Sequence, residues 1–535
     1  MIISRKIFTE EQLNIISSLS ESCNITNTTA KILYSRGYVT KEDINGFLYP
    51  DRSLFHNPYD LKNLDLAVER IKCAKENGET VVVFGDYDAD GICATTILCK
   101  ALRIFGVEVI PVIPERENGY GLTEESIELV LNEYFPDLII TVDCGISSYN
   151  EIEYLKDLGV DVIVTDHHEI PETVPDCIAV NCKFKDQNYP FDCLSGAGVA
   201  YKLASALIGD RANMFLDLVT VATVADNMPL IDENRLIVKE GIELIKKGLS
   251  NKPLKSIISL SGIKEITSSS IAYGIVPRVN ASGRMGDAHT ALKLFLSEND
   301  DEIFELSNKL LIYNNERKSE GDGLYLEAKA KLPKGNYGNV IVLHNENWNT
   351  GLVGIISAKI AEEYNLPALL FTKSGEYYHG SARSIDSVNI YECILECKEL
   401  LKGFGGHSQA AGVTIDESNL ESFAIKLNEV IKNKYTFNDF ERKIEIDEVI
   451  EKAPSKKFLN ELALLEPFGI GNKEPVFLKT VESVESKIFK NLHLSFKDSG
   501  MDFIYFNGIR DHTVLSLDCK KYLIVEPSLS VYNGK

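Results

Sequence analysis

Three short apolar runs, each ending in acids or histidines, constrain this chain more than any other feature. VVVFG (81–85) runs into Asp86, Asp88 and Asp90 of DYDADG. DLIITV (137–142) runs into Asp143, and VDVIVT (160–165) into Asp166, His167 and His168. Such β-branched runs alternate with helical stretches, ICATTILCKALRIF (92–105) and EESIELVLNEYF among them, which is the pattern of a parallel sheet covered on both faces. In an open parallel sheet the carboxyl ends of the strands share one edge, where ligands bind. The three clusters are therefore expected to converge, and carboxylates crowded in this way need cations to neutralise them. Each cluster alone has a plainer reading: an Asp after a strand is usually a turn residue or helix N-cap, and a His-His pair is more often structural. Three of them at strand ends in one domain reverse that weighing. A fourth acid, Asp226 in TVATVADNMPL, is ambiguous on these grounds.

With 535 residues the chain is too long for one ordinary domain. Residues 1–64 read as an N-terminal helical segment, 65–234 as the α/β domain of the acid clusters, and 235–330 as a connecting helical region containing PRVNASGR. Residues 331–430 read as a second, smaller α/β domain, with a helix expected near 390–401, and 436–535 as short strands with turns, a small β-barrel. No run approaches a membrane span, and MIISRKIFTEEQ lacks the core of a signal peptide, so a cytoplasmic protein without membrane association is expected. The 11 cysteines form no CxxC pair, and Cys93, Cys99, Cys393 and Cys397 sit in apolar runs as buried thiols would. The net charge of −23 counts against a nucleic-acid partner. Acids that hold metal cations, or a local basic groove, would reconcile the two.

DYDADG, VDCG, TDHH and VADNMPL, in that order, resemble the four signatures of the DHH phosphoesterases. Adding RENGYGL, SGAGVAYKLA, PRVNASGRMGDA and GFGGHSQAAG, most of the chain is similar to the RecJ single-strand exonucleases. The resemblance implies a parallel-sheet DHH domain and a DHHA1 domain around a cleft, with a C-terminal oligonucleotide-binding (OB) fold. It implies two manganese or magnesium ions. Asp88 and Asp143 would hold one ion with Asp86 nearby, and Asp90, Asp143, His167 and Asp226 the other. Carboxylate with imidazole suits manganese by ligand type. Where related phosphatases place a histidine four residues before the middle aspartate, this chain has Phe84. Two ions about 3.5–4 Å apart would acidify a water for in-line attack on phosphorus. His168 is the candidate for contacting the scissile phosphate or leaving oxygen.

The resemblance also marks a phosphate grip. Ser381 and Arg383 in HGSARS match a terminal-phosphate pocket, and Arg278, Asn280 and Arg284 in PRVNASGR face it across the cleft, with Arg116 lining the same channel. The glycine-rich GFGGHSQAAG (403–412) reads as a turn whose Gly405 and Gly406 expose N–H groups to an anion, beside His407. One departure is Asn349 and Thr350, where the family has a histidine–glutamine pair. In the barrel, Phe489, His493, Phe496, Phe503, Tyr505 and Phe506 are candidates for base stacking, with alternate positions forming the core, while Lys487, Lys490 and Lys497 track the backbone. Ending at YNGK, the barrel is expected to be incomplete. The implied activity is 5′→3′ hydrolysis of single-stranded DNA to mononucleotides in DNA repair and recombination, by a monomer, with single-stranded-DNA-binding protein and a RecQ-type helicase as partners. Two rivals differ testably. A superfamily enzyme for short oligonucleotides would prefer a dinucleotide, and a replication scaffold would have lost the metal ligands.

Overall fold

The apolar runs form a five-stranded parallel sheet in the computed structural model, which describes residues 2–114, 121–333, 335 and 337–528. Across the sheet the strands lie in the order Val109–Val112, Val81–Gly85, Leu138–Val142, Asp161–Asp166, Ile178–Asn181, and all neighbours run parallel. Chain order reverses between Val81–Gly85 and Leu138–Val142, and that switch point is where such sheets open a crevice for ligands. Val81, Val82, Val83 and Phe84 are at most 1% exposed, because helices cover both faces. Each buried valine contributes about 1.5–3 kcal/mol.

The helix Ala89–Phe105 is almost wholly buried, packing on the helices Gly196–Ile208 and Leu216–Ala225. Asp88 caps it, accepting from the N–H groups of Asp90 (2.8 Å) and Gly91 (3.1 Å). A side chain at Gly91 would meet the Asp86 carbonyl oxygen at 2.4 Å, so only glycine lets the helix begin this close to the strand end. PRVNASGR lies within the helix Val276–Met285, preceded by a π-helical turn, Ile271–Ile275.

A second sheet has the order Leu401–His407, Ala410–Ile415, Tyr377–Arg383, Ala368–Ser374, Ile341–Asn345, with only the last pair parallel. The helix expected near 390–401 is shorter, Ile390–Leu395, followed by a 3-10 turn, Lys398–Leu400. GFGGHSQAAG is not a loop. Gly403, Gly405 and Gly406 lie on the edge strand of a hairpin, where Gly405 pairs with Gly412 and Gly406 with Ala411.

The molecule divides into two units: the described residues of Met1–Phe55, Pro229–Lys239 and Lys443–Lys535, and those of His56–Met228 and Glu240–Arg442. Both sheets above belong to the second. In the first, the helices Glu10–Ser22, Asn27–Ser35 and Lys41–Leu48 are capped by Thr9, Thr26 and Thr40. Ile2–Arg5 pairs in parallel with Lys443–Ile446. Two three-stranded sheets follow. Phe496 is buried and stacks on Phe503 at 4.8 Å, whereas Tyr505 and Phe506 are exposed. Buried Arg235 donates to the carbonyls of Phe47, Leu464, Leu465 and Glu466 and lies over the Phe47 ring. No helix of the described residues is long and apolar enough to cross a membrane.

Candidate metal centre

Each acid cluster is aimed by the element that follows its strand. Asp86 directly follows Val81–Gly85, Asp88 caps the next helix, and Asp90 lies in that helix's first turn. The Asp90 carboxylate accepts from the N–H groups of Gly196 and Ala197, both at 2.7 Å. It therefore sits on the positive end of the helix Gly196–Ile208. Asp143 follows Leu138–Val142 in a left-handed conformation, φ 60°. Its carboxylate lies so close to Gly196 that a side chain there would meet Asp143 Oδ1 at 2.4 Å. Asp226 is the C-cap of Leu216–Ala225.

These groups converge. Ligand atoms of Asp86, Asp88 and Asp143 lie within 4.8 Å of one another, as do those of Asp90, His167 and Asp226, and those of Asp143, His167 and His168. His167 Nε2 lies 3.1 Å from Asp143, 3.6 Å from Asp226 and 3.8 Å from Asp90. Burial pushes Asp90 up to about 7, with Asp226 and Asp88 repelling it and His167 opposing the rise. Burial, then repulsion from Asp90, Asp88 and Asp86, holds Asp143 well above the usual carboxylate range. Burial and Asp88 push Asp226 up to about 6. Burial lowers His167, favouring the neutral ring that ligates metals, and its buried Nδ1 has no hydrogen-bond partner.

Asp166, absent from the expected ligands, has a different task. Its Oδ1 accepts from the backbone N–H groups of His167 and His168 and lies 2.7 Å from His168 Nδ1, and its Oδ2 accepts from Ile146 N–H. Burial would raise its pKa, but His168 and these N–H groups hold it below the usual value. Burial also opposes the His168 charge, but Asp166 outweighs it and lifts the imidazole to about 9. The sequence signal was present: Asp166 directly precedes the histidine pair.

The expected phosphate ligands divide. Arg383 Nη1 donates to Ser381 Oγ (3.0 Å), and Arg284 Nη1 to the Gly351 carbonyl (2.8 Å). Gly354 leaves room for Ser381 and Arg383, and all three side chains meet around the first turns of the helix Thr350–Tyr364. Arg383 is largely buried with no acidic partner within 4 Å among the described residues, and burial lowers its pKa. Asn280 accepts from Ala89 N–H at 2.8 Å, so it braces the DYDADG loop. Arg278 donates to the Gly274 carbonyl and keeps a buried Nε without a partner. His407 Nδ1 accepts from Gln409 N–H at the hairpin turn (3.3 Å). Asn349 caps the helix Thr350–Tyr364, accepting from Gly351 N–H (2.8 Å). Arg116 lies outside the described residues.

Residues 80–223 match the DHH family, N-terminal domain; 337–433 the DHHA1 domain; and 446–535 the RecJ OB domain. The chain is 37% identical over 469 residues to the single-stranded-DNA-specific exonuclease RecJ of Bacillus subtilis, covering 86% of this chain and 59% of the relative, so it spans under two thirds of that protein. RecJ of Thermus thermophilus is 32% identical over 484 residues, 88% of this chain and 68% of the relative. A crystal structure of RecJ in complex with Mn2+ from Thermus thermophilus is similar over 100% of this chain and 78% of that one, with TM-score 0.84 and 28% identity. The chain belongs to the RecJ family.

Proposed function

We propose that the chain is a two-metal-ion exonuclease that hydrolyses single-stranded DNA 5′→3′ to mononucleotides in DNA repair and recombination. The observation that carries this reading is the abutment of two ligand groups, Asp86/Asp88/Asp143 and Asp90/His167/Asp226, with His167 Nε2 3.1 Å from Asp143. The donors fit divalent manganese or magnesium: carboxylates whose pKa values are raised by burial and by mutual repulsion, and one neutral imidazole. Asp143 lies between the groups, as a shared ligand must. When bound, such a pair supplies Lewis-acid polarisation and acidifies water.

The chain's own residues do the rest. The helix start at Gly196 fixes Asp90, and Asp166 orients His168 and keeps it protonated, ready to donate to the scissile phosphate or leaving oxygen. Arg284, Ser381 and Arg383, at the N-terminal end of a helix, suit a terminal phosphate. With Arg278, Gly405, Gly406, His407 and Arg116 they form the proposed strand path. The relatives' names support the substrate, and the manganese- and magnesium-bound Thermus thermophilus structures support the ions. A cytoplasmic monomer working with single-stranded-DNA-binding protein and a RecQ-type helicase is part of the proposal.

A time course on end-labelled strands tests it, comparing 5′ phosphate with 5′ hydroxyl ends in manganese and in magnesium. Metal-dependent release of mononucleotides from the 5′ end is expected, faster with the phosphate and abolished in Asp143→Ala. Equal activity in that variant, or preference for a dinucleotide over a long strand, refutes the proposal.

A further inference from the structure

We infer that the second unit carries a separate site for a phosphate-bearing ligand of mononucleotide size, in the cleft between the end of the helix Asp232–Lys246 and the helix Lys252–Ser261. The cavity is about 420 Å³, within the range of small-ligand sites, and none of its lining residues belongs to the metal centre or the phosphate grip. Three features define its ligand.

The first is charge. Lys246, Lys255 and Lys264 line the cleft against one acid, Glu265. Lys246 has its closest carboxylate, Glu243, at 4.0 Å, and Lys255 and Lys264 have no ion pair among the described residues. On a chain of net charge −23, three lysines lining one cavity with Glu265 as the single acid of that lining make a local anion site.

The second is a hydroxyl. Ser250 is 4% exposed, yet its Oγ has no hydrogen-bond partner. Buried polar groups are nearly always satisfied, and an orphan lining a cavity marks a place where an ion or ligand can complete the bond. A phosphate oxygen accepts from a hydroxyl and from ammonium groups together.

The third is the apolar wall. Ile245 and Ile266 are buried, and Ile258 and Ile263 complete the lining. Ile263 is held from behind, where a side chain at Gly274 would meet its Cδ1 at 2.7 Å. Inorganic phosphate alone would leave this wall uncovered. A phosphomonoester bearing a base uses lysines, hydroxyl and isoleucines at once. The site stands whether or not the metal centre hydrolyses DNA.

Calorimetric titration of the full chain tests the site, with EDTA present so that no bound metal can capture phosphate. AMP and dAMP are expected to bind saturably, with Kd of about 0.1–1 mM. Adenosine, which lacks the phosphate, and inorganic phosphate, which lacks the base, are expected to bind at least tenfold more weakly. Lys255→Ala/Lys264→Ala and, independently, Ile258→Asp should each weaken AMP tenfold or more, whereas Asp143→Asn leaves it unchanged. Thermal unfolding checks that each variant is folded. No saturable binding up to about 10 mM AMP overturns the inference, as does binding indifferent to the lysine pair. So does loss of single-strand affinity in the lysine variant without any mononucleotide binding, which would make this face a backbone track.

Discussion

Asp143 bears two costs at once: a left-handed backbone, φ 60°, and a carboxyl buried against Asp90, Asp88 and Asp86. Left-handed geometry in a non-glycine residue costs about 1–3 kcal/mol and persists where function over-determines it. Without metal, removing the charge should help the fold. Asp143→Asn is expected to stabilise the chelated protein by about 1–4 kcal/mol, while nuclease activity falls at least about a hundredfold. Thermal melts with EDTA and with manganese check both halves. A variant less stable than the parent in EDTA would show that the carboxylates are held by something other than a need for cations. Asp217 provides a pH test outside the centre. Burial lifts it to about 6, although Leu218 and Asn251 donate to it. A carboxyl raised in the folded state contributes stability at low pH that is lost as pH climbs from about 4 to about 6. The rise from 3.8 to about 6 corresponds to about 3 kcal/mol. Asp217→Asn should therefore gain stability relative to the parent by up to that amount between pH 4 and pH 7. A difference that stays flat across that range in denaturant titrations would mean Asp217 is ionised without cost.

At the scale of elements, the metal centre depends on how closely one helix start approaches one strand end. Gly196 opens the helix whose N–H groups hold Asp90, and its missing side chain leaves the space that Asp143 fills. Gly196→Ala is expected to leave the helix intact while displacing the Asp143 carboxylate, cutting activity at least tenfold with a loss of about 1–3 kcal/mol from overpacking. Circular dichroism and single-strand digestion measure the two separately, and full activity in the alanine variant would show that the centre tolerates the shift. The strands and their acidic ends were legible in the sequence because a continuous apolar run followed by Asp is a local pattern. Sequence could not show that the Asp90 carboxylate ends on Gly196, more than a hundred residues away, since that bond exists only once two helices pack. The same limit explains the hairpin at 401–415, where glycines suited to a loop become an edge strand by pairing with Ala410–Ile415. It explains too the pairing of Ile2–Arg5 with Lys443–Ile446. PRVNASGR, read as part of a helical region, does lie in a helix, with its proline at the start, where a missing N–H costs nothing.

Over the whole molecule, the chain passes between its two units three times before its last segment, and one passage follows the metal centre directly. Three residues beyond Asp226 the backbone enters Pro229–Lys239, which belongs to the first unit. Arg235 anchors that segment by satisfying four carbonyls without a carboxylate, and burial lowers it to about 10, still charged at neutral pH. Every candidate metal ligand lies in the second unit. Cations that bind only the folded centre stabilise it by mass action, about 2.7 kcal/mol at a hundred times Kd, which raises melting by several degrees. Scanning calorimetry is therefore expected to resolve two transitions, of which manganese raises one and chelation lowers the same one, leaving the other in place. The fixed transition should be the one that Arg235→Leu lowers, because that substitution strands four carbonyls in the first unit. One transition moving as a block with manganese would mean that the units unfold together, and the metal's stabilisation would then belong to the whole chain.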